Sequence, residues 1–124
     1  MSSWHRPSAE RVELTFSSLP PSVNHLYGKS RKYVYISTKA RAWQRHAGAE
    51  LNIQKPGRVV GTYSMTIELS RPDNRRRDAS NYVKTLEDLL VRHGVVDDDS
   101  LAQSVTSKWV TSDVACRVVV EAAP

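Results

Sequence analysis

The stretch from residue 71 to residue 100 gathers most of the side chains that could do chemistry. Its basic residues include Arg71, Arg75, Arg76, Arg77 and Lys84, and its candidate acids are Asp78, Asp97, Asp98 and Asp99. Carboxylate oxygens suit hard cations such as Mg2+, which takes one or two protein carboxylates and completes its shell with waters and phosphate oxygens. Guanidinium groups match pairs of phosphate oxygens. The combination indicates phosphodiester chemistry.

The acidic residues also have a purely structural interpretation. Asp78 stands at a predicted helix start, where a carboxylate can simply cap free backbone donors. The triplet Asp97-Asp98-Asp99 can form a solvated turn. However, neighbouring carboxylates raise one another's pKa, and a bound cation would relieve that repulsion. We therefore expect Asp78 to meet Asp98 and Asp99 in space around one cation.

The composition is that of one soluble domain. The chain has 124 residues, of which 40% are apolar and 25% charged, enough for one core and too few for a second domain. No apolar run approaches the roughly 20 residues of a bilayer span, and the N-terminal residues lack the apolar core of a signal peptide. The lone Cys116 excludes an internal disulfide and is expected in the core. These features predict a cytoplasmic protein without a membrane partner.

The positive charge is concentrated in the first three quarters of the chain. Residues 1–93 contain 16 Lys and Arg against 8 Asp and Glu, whereas residues 94–124 contain 2 against 5. The basic part would attract a polyanion, and counterion release would favour nucleic acid as the partner. The acidic part is led by the aspartate triplet.

Hydrophobic periodicity predicts an α/β (α+β) domain spanning 1–124, with a mixed sheet and two main helices in the order β-α-β-α-β-β. Strands are expected at 12–16, 63–69, 105–110 and 114–121, the last two as an antiparallel hairpin because their connection is short. A first helix is predicted at 39–53 with Thr38 as its N-cap. A second should run from Asp78 or Ser80 to about His93, with Gly94 as its stop. Residues 1–9 are expected to be flexible.

Two polar surfaces accompany these elements. On the second helix, Asn81, Lys84 and Asp88 are spaced three and four apart and should share one face. Ahead of the first helix, prolines break regular structure, and basic and aromatic residues follow: Lys29, Arg31, Lys32 and Tyr33. The second group is either an ordinary basic loop or a nucleic-acid contact in which Tyr33 stacks on a base.

Three sequence blocks, taken together, resemble a known family. They are Pro20-Pro21-Ser22-Val23-Asn24-x-x-Tyr27, Arg75-Arg76-Arg77-Asp78-x-Ser80-Asn81-x-x-Lys84, and Gly94-Val95-Val96-Asp97-Asp98-Asp99-Ser100. In order and spacing, over roughly Leu14 to Val110, they are similar to the RusA family of phage and prophage Holliday-junction resolvases. The resemblance implies a homodimeric, Mg2+-dependent endonuclease that nicks two strands of like polarity symmetrically across a four-way DNA junction, in recombination and repair.

The resemblance also implies residue roles. Asp78 and Asp99 would be catalytic and would hold the metal with Asp98, and Lys84 would be the functional lysine. Mn2+ is an alternative ion. The expected DNA contacts are Asn24, Lys29, Arg31, Lys32, Tyr33, Arg71, Arg75, Arg76, Arg77 and Asn81, of which the loop residues would lie near the branch point.

One position departs from the family pattern, which usually reads Asp-x-Asp-Asn where this chain has Asp78-Ala79-Ser80-Asn81. The Ser80 hydroxyl can ligate a metal weakly or hold one of its waters, but it carries no charge. Metal affinity should therefore be lower unless Asp97, Asn81 or a substrate phosphate compensates. The alternative function is a branched-DNA-binding protein with little or no cleavage.

Two other classes of protein make different predictions. A non-catalytic nucleic-acid-binding module would use the arginines but not the acids, so its binding would be insensitive to Asp99 replacement and to chelators. A haloacid-dehalogenase-like phosphotransferase would also use clustered aspartates, but it requires a nucleophilic aspartate at the tip of the first apolar strand. This chain has none there.

Overall fold

The computed structural model describes residues 5–22, 27–29 and 34–124, with residues 27–29 and 34–36 described by their backbone alone. The elements are β1 (Arg11–Phe16), β2 (Tyr27–Lys29), β3 (Val34–Ile36), α1 (Thr38–Gln54), β4 (Tyr63–Ser70), α2 (Val83–Arg92), β5 (Ala102–Val110) and β6 (Cys116–Ala122). Two short 3-10 helices, Ala79–Tyr82 and Asp99–Leu101, precede α2 and β5 respectively. The predicted mixed α+β fold is confirmed.

The four-stranded sheet has the order β1-β6-β4-β5, with β4 and β5 parallel and the other neighbours antiparallel. The predicted β5–β6 hairpin is therefore wrong, because β4 lies between the two strands. Their connection crosses the C-terminal end of β4, where the Ser70 hydroxyl donates to the carbonyls of Ser112 and Val114. The Ser70 N–H also donates to the carbonyl of Ala115, so this crossing is held by the last residue of β4.

Both predicted helices are present, with different starts. The N-cap of α1 is Ser37, whose hydroxyl accepts the Ala40 N–H at 3.1 Å, so the prediction of Thr38 was wrong by one residue. The second helix begins as the 3-10 turn at 79–82 before α2 proper. Gly94, with φ of +72°, follows α2 as predicted, because a glycine adopts this left-handed conformation without strain.

The core lies between the helices and one face of the sheet. Alternate residues of β4 are buried, among them Tyr63, Ile67 and Leu69, together with Leu86, Leu89 and Leu90 of α2. Cys116 is fully buried in this core, as predicted, and burial raises the pKa of its thiol to about 12. Within the described ranges, no helix is both long and apolar enough to cross a membrane.

The segment before β1 is attached to the domain through Arg6. Its guanidinium donates to the carbonyls of His93 and Pro56 at 2.7 and 3.2 Å and to the Asn52 side chain at 2.8 Å. Ser8 also forms a bridge with Arg58. The single-domain boundaries and the flexibility of residues 1–9 stay predictions.

Candidate functional site

The basic segment lies where the two parallel strands end. β4 ends at Ser70 and pairs there with Val110 of β5, so Arg71 leaves the sheet at its carboxyl edge. The preceding β5 residue, Trp109, donates from its indole N–H to the Arg77 carbonyl at 3.0 Å. The Arg71 guanidinium lies 4.9 Å from the centroid of the same ring, within the range of a cation–π contact. Trp109 thus fixes both ends of the arginine loop, residues 71–77.

Asp73 organises two of the predicted DNA-binding arginines. Its carboxylate accepts from the Arg77 guanidinium at 2.7 Å and from the Arg75 side chain at 3.3 Å. It also accepts the Arg75 backbone N–H at 2.9 Å. That backbone bond, followed by the two guanidinium bonds, keeps the pKa of Asp73 below its ordinary value. Arg75 remains mostly exposed, so it is oriented without being removed from solvent.

Asp78 lies in a cleft of about 590 Å³ that we call the Asp78 cleft. Its polar lining includes Ser22, Lys39, Arg75, Arg76, Arg77 and Asn81. Asp78 occupies the N-cap position of the 3-10 turn, but its side chain makes no capping hydrogen bond. The interpretation of Asp78 as a capping residue is therefore wrong, and its exposed carboxylate is available to a ligand.

The proline block forms another wall of this cleft, as Pro20, Pro21 and Ser22 line it. The buried Thr85 of α2 donates its hydroxyl to the Pro21 carbonyl at 2.9 Å. Two of the three sequence blocks therefore line the same cleft, and the residue that follows the second block is bonded to the first across 64 positions of the chain. Asn24, Arg31, Lys32 and Tyr33 lie outside the described residues, as does the side chain of Lys29, so their predicted DNA contacts stay predictions.

The aspartate triplet divides into members with different partners. Asp97 forms an ion pair with Arg58 and accepts the Gly61 N–H at 3.4 Å. These bonds, led by the one from Arg58, lower the pKa of Asp97. Its carboxylate is therefore already neutralised by the protein, which argues against the expectation that Asp97 replaces the charge missing at Ser80.

Asp98 caps the short helix before β5. Its carboxylate accepts the Ser100 hydroxyl at 3.0 Å and the Ser100 N–H at 3.4 Å. These bonds, the hydroxyl first, and a further one from Asp99 lower the pKa of Asp98. Asp98 keeps the exposed position expected of a metal or water ligand.

Asp99 belongs to an acidic group that includes a residue sequence reasoning missed, Glu87 of α2. Burial, and then the charges of Asp99 and Asp88, raise the pKa of Glu87. The same acids act on Tyr63. Burial, and then the negative charges of Glu87, Asp99 and Asp98, raise the pKa of Tyr63 to about 12. Its fully buried hydroxyl makes no hydrogen bond within the described parts of the chain. We call Tyr63, Glu87, Asp98 and Asp99 the Asp99 group.

The predicted face of the second helix is present in part. Lys84 and Asp88 of α2 form an ion pair at 3.7 Å, with the lysine side chain half exposed. Asn81 lies in the preceding 3-10 turn, where its backbone N–H donates to the Asp78 carbonyl at 3.1 Å and its side chain lines the Asp78 cleft. Ser80 is exposed, one residue before Asn81.

Comparisons with known proteins identify the family. The family model of endodeoxyribonuclease RusA matches residues 18–122, most of the chain. A relative is the crossover junction endodeoxyribonuclease RusA of Aquifex aeolicus (strain VF5), which is 32% identical over 94 residues, or 74% of this chain and 75% of the relative.

The chain belongs to the RusA family of endodeoxyribonucleases. The enzyme class expected from the three sequence blocks is thereby confirmed. The match includes the Asp78 cleft, the Asp99 group and both helices, so the geometry described above is that of a RusA-family nuclease domain.

The donor chemistry of this RusA-family site fits a hard divalent cation. Asp78, Asp98 and Asp99 supply exposed carboxylate oxygens. Burial raises the pKa of Glu87, and the charges of Asp99 and Asp88 raise it further; a cation would relieve this second, repulsive part. Within the described ranges, no three His, Cys, Asp or Glu side chains form a ready-made metal cluster. Mg2+ requires only one or two carboxylates, with waters and substrate phosphates completing its shell. The convergence of Asp78 with Asp98 and Asp99 stays a prediction.

Proposed function

We propose that this RusA-family protein is a Mg2+-dependent endonuclease that resolves four-way DNA junctions by paired nicks in two strands of like polarity, in DNA recombination and repair. The name of its Aquifex relative, a crossover junction endodeoxyribonuclease, supports the choice of substrate. The proposal also places the protein in the cytoplasm of a bacterium or of a phage-infected cell.

One structural observation carries the proposal more than any other: a carboxylate without a capping bond lies in a cleft lined by cations. The side chain of Asp78 makes no capping bond, and Arg75, Arg76 and Arg77 line the same cleft. Guanidinium groups would draw a phosphate into the cleft, and a carboxylate beside them would repel it unless a cation lay between them. A phosphodiester and a metal ion together satisfy both groups.

Asp78, Asp98 and Asp99 would hold the ion, with the Ser80 hydroxyl contributing at most a weak or water-mediated contact. Bound Mg2+, or Mn2+ in its place, supplies Lewis-acid polarisation of the phosphoryl oxygen and a more acidic water. If these residues bind the ion, Mg2+ should raise the melting temperature of the wild-type protein. The increase should be smaller in Asp99→Asn, which gives a measurement that does not depend on activity.

The basic residues would position the strand and balance its charge. Arg75 and Arg77 are already oriented by Asp73, so they can contact the DNA backbone at a low entropic cost. Within the described residues Lys84 forms an ion pair with Asp88, and an exposed pair at this spacing contributes about 0.3–0.5 kcal/mol. A phosphate can therefore displace Asp88, and Lys84 would then neutralise the charge that develops on the phosphate during cleavage.

Symmetric nicking requires two equivalent sites, so the proposal includes a two-fold homodimer. Sedimentation velocity should give the mass of two chains at the concentrations used for cleavage. A protein that stays monomeric when bound to the junction would exclude this part of the proposal while leaving single nicks allowed.

The function is tested by incubating the protein with a labelled four-way junction and with a linear duplex of the same sequence, each with Mg2+ or with EDTA. We expect symmetric nicks in the junction only, and only with Mg2+. Cleavage of both substrates at equal rates would contradict junction resolution. Asp113→Asn, an exposed aspartate in the β5–β6 connection, is the matched control for acid replacements.

Ser80 supports one alternative, a branched-DNA-binding protein with little cleavage, because the second family carboxylate is missing. Replacement by Ser80→Asp distinguishes the two functions. If the native protein cleaves slowly and Ser80→Asp restores rapid Mg2+-dependent nicking, the lost ligand limits catalysis. If the native protein binds junctions tightly in EDTA and neither form nicks them, the alternative is correct.

A further inference from the structure

A second basic surface, distinct from the Asp78 cleft, lies along α1 where the middle of this helix contacts the C-terminal end of α2. Two hollows of about 450 and 460 Å³ share Asn52 and His93 as lining residues and so form one continuous surface. Its cationic residues are Arg6, Arg41, Arg45, Lys55, Arg58 and Arg92, of which Arg58 is paired with Asp97. We call it the α1–α2 basic surface. No carboxylate from the described residues lines either hollow.

The two arginines of α1 lie on the opposite side of the helix from its acidic residue. Arg41, Arg45 and Asn52 lie on one face because their spacing of four and seven residues returns to the same side of a helix. Glu50, the sole acid in α1, is on the opposite side, where its carboxylate accepts the Ser17 N–H at 3.2 Å. No acid of α1 therefore lies on the side of the helix that carries Arg41 and Arg45.

The surface is also held in a fixed shape. Gly48 of α1 contacts His93, whose ring nitrogen lies 2.8 Å from where a Cβ would be, so glycine permits this close approach. Arg92 donates to the Gln44 side chain at 3.1 Å, and Arg6 donates to three uncharged acceptors. Neutral acceptors orient these guanidinium groups without cancelling their charge. Burial, followed by the positive charges of Arg6 and Arg92, lowers the pKa of His93, as expected for a ring held beside these guanidinium groups.

These features favour duplex DNA over a single strand. The lining residues include no Phe, Tyr or Trp within the described parts of the chain, so the surface offers no platform on which unpaired bases could stack. Fixed guanidinium groups suit phosphate oxygens instead. Lys39 lines the Asp78 cleft and Asn52 lines both hollows. The helix rises about 20 Å from Lys39 to Asn52, or about six base pairs of duplex.

We propose that the α1–α2 basic surface binds the phosphate backbone of a duplex arm that extends from the junction held at the Asp78 cleft. The position of the arm relative to the junction rests on the proposed function. The binding of duplex phosphates by this surface does not.

The test replaces two arginines of the exposed α1 face with glutamine, in Arg41→Gln/Arg45→Gln. The matched control, Arg11→Gln/Lys108→Gln, removes the same charge from strand residues that pair with Glu13 and Glu68. Binding to a linear duplex and to a four-way junction is measured in EDTA over a range of KCl. Circular dichroism establishes that both variants are folded.

We expect the slope of log K against log salt to fall by about 2 in the α1 variant, one unit for each lost phosphate contact, and affinity to fall about tenfold. The control should change the slope by much less. The variant Arg41→Lys/Arg45→Lys, which keeps both charges, should retain most of the wild-type slope. Equal slopes in the α1 and control variants would overturn the proposal. A wild-type protein that bound the duplex through this surface without preferring junctions would support it while contradicting the proposed function.

Discussion

The arginines of the two basic surfaces of this protein have different partners. In the Asp78 cleft, Arg75 and Arg77 bind Asp73, and Asp78 lies beside them. On the α1–α2 basic surface, Arg6 and Arg92 bind neutral oxygens, whereas Arg58 is paired with the Asp97 carboxylate. The first arrangement fixes the orientation of the guanidinium groups but lowers the net positive charge of the cleft. The second keeps charge and leaves the exposed arginines of α1 less constrained.

If both surfaces bind DNA as proposed, this difference suits two kinds of contact. A reacting phosphate must be placed within a fraction of an ångström, so the residues near it need defined orientations. A phosphate far from the reaction needs only attraction, which works over a Debye length of about 10 Å at 0.1 M salt. We infer that the Asp78 cleft determines where cleavage occurs and that the α1–α2 basic surface contributes mainly affinity.

The largest effect is expected from Asp78→Asn, which removes a proposed metal ligand from the cleft. Nicking should fall at least about a hundredfold, while junction binding in EDTA should be unchanged or tighter because a negative charge near the phosphate is lost. Single-turnover cleavage and gel-shift binding measure the two effects. If the variant nicked as rapidly as the Asp113→Asn control, Asp78 would have no part in the reaction.

A smaller effect is expected from Asp73→Asn, which tests whether fixed arginines matter more than charged ones. The replacement keeps the size of the side chain but weakens its bonds to Arg75 and Arg77. Nicking should fall by about tenfold to a hundredfold because the strand is misplaced, although binding to a linear duplex should tighten as net charge rises. Reduced duplex binding together with unchanged nicking would show that Asp73 does not orient the cleft.

Local patterns in the sequence were sufficient to predict the main elements of the fold. The alternation through β4 and the leucine stripe of α2 correspond to burial that each segment shows in the structure. The prediction of a β5–β6 hairpin failed because the order of strands depends on pairing between residues far apart in the chain. Because β6 pairs with both β1 and β4, its place in the sheet is decided by residues that lie far away in the chain.

Prediction of the site had a similar limit. The Asp78 motif and its arginines were recognisable because consecutive charges are visible in one stretch of sequence. Asp73 offered a signal that was overlooked, an acid two and four residues before arginines. Glu87 offered little, since its partial burial and its proximity to Asp99 arise from the packing of α2. Lys39 belongs to a different helix and enters the cleft only through the fold.

Replacement of Glu87 should change stability in a pH-dependent way that distinguishes the Asp99 group from ordinary surface acids. Its folded pKa is raised, so the folded protein binds this proton more tightly than the unfolded chain does. The stability associated with the protonated form is complete below the ordinary value of 4.5 and is lost as the pH rises through the folded pKa. Glu87→Gln should therefore match the wild-type melting temperature at low pH and exceed it at pH 7.

Thermal melts at several pH values test this behaviour, with Glu121→Gln as a control for the loss of one exposed carboxylate. A difference between Glu87→Gln and wild type that does not vary with pH would indicate a packing effect. Addition of Mg2+ should reduce the advantage of Glu87→Gln at pH 7 if the Asp99 group holds the ion, because the cation offsets the repulsion felt by Glu87.

The smallest effect is expected from Trp109→Phe, which probes how the arginine loop is attached to the sheet. The aromatic ring and its 5.7 Å edge contact with Tyr82 would be largely kept, but the indole N–H bond to the Arg77 carbonyl would be lost. We expect a decrease in the free energy of unfolding of about 0.5–1.5 kcal/mol, measured by urea denaturation. Nicking should decline only a few-fold, since Asp73 still orients Arg77. A loss of nicking as large as that of Asp73→Asn would mean that the backbone attachment, and not the carboxylate, positions the arginines of the cleft.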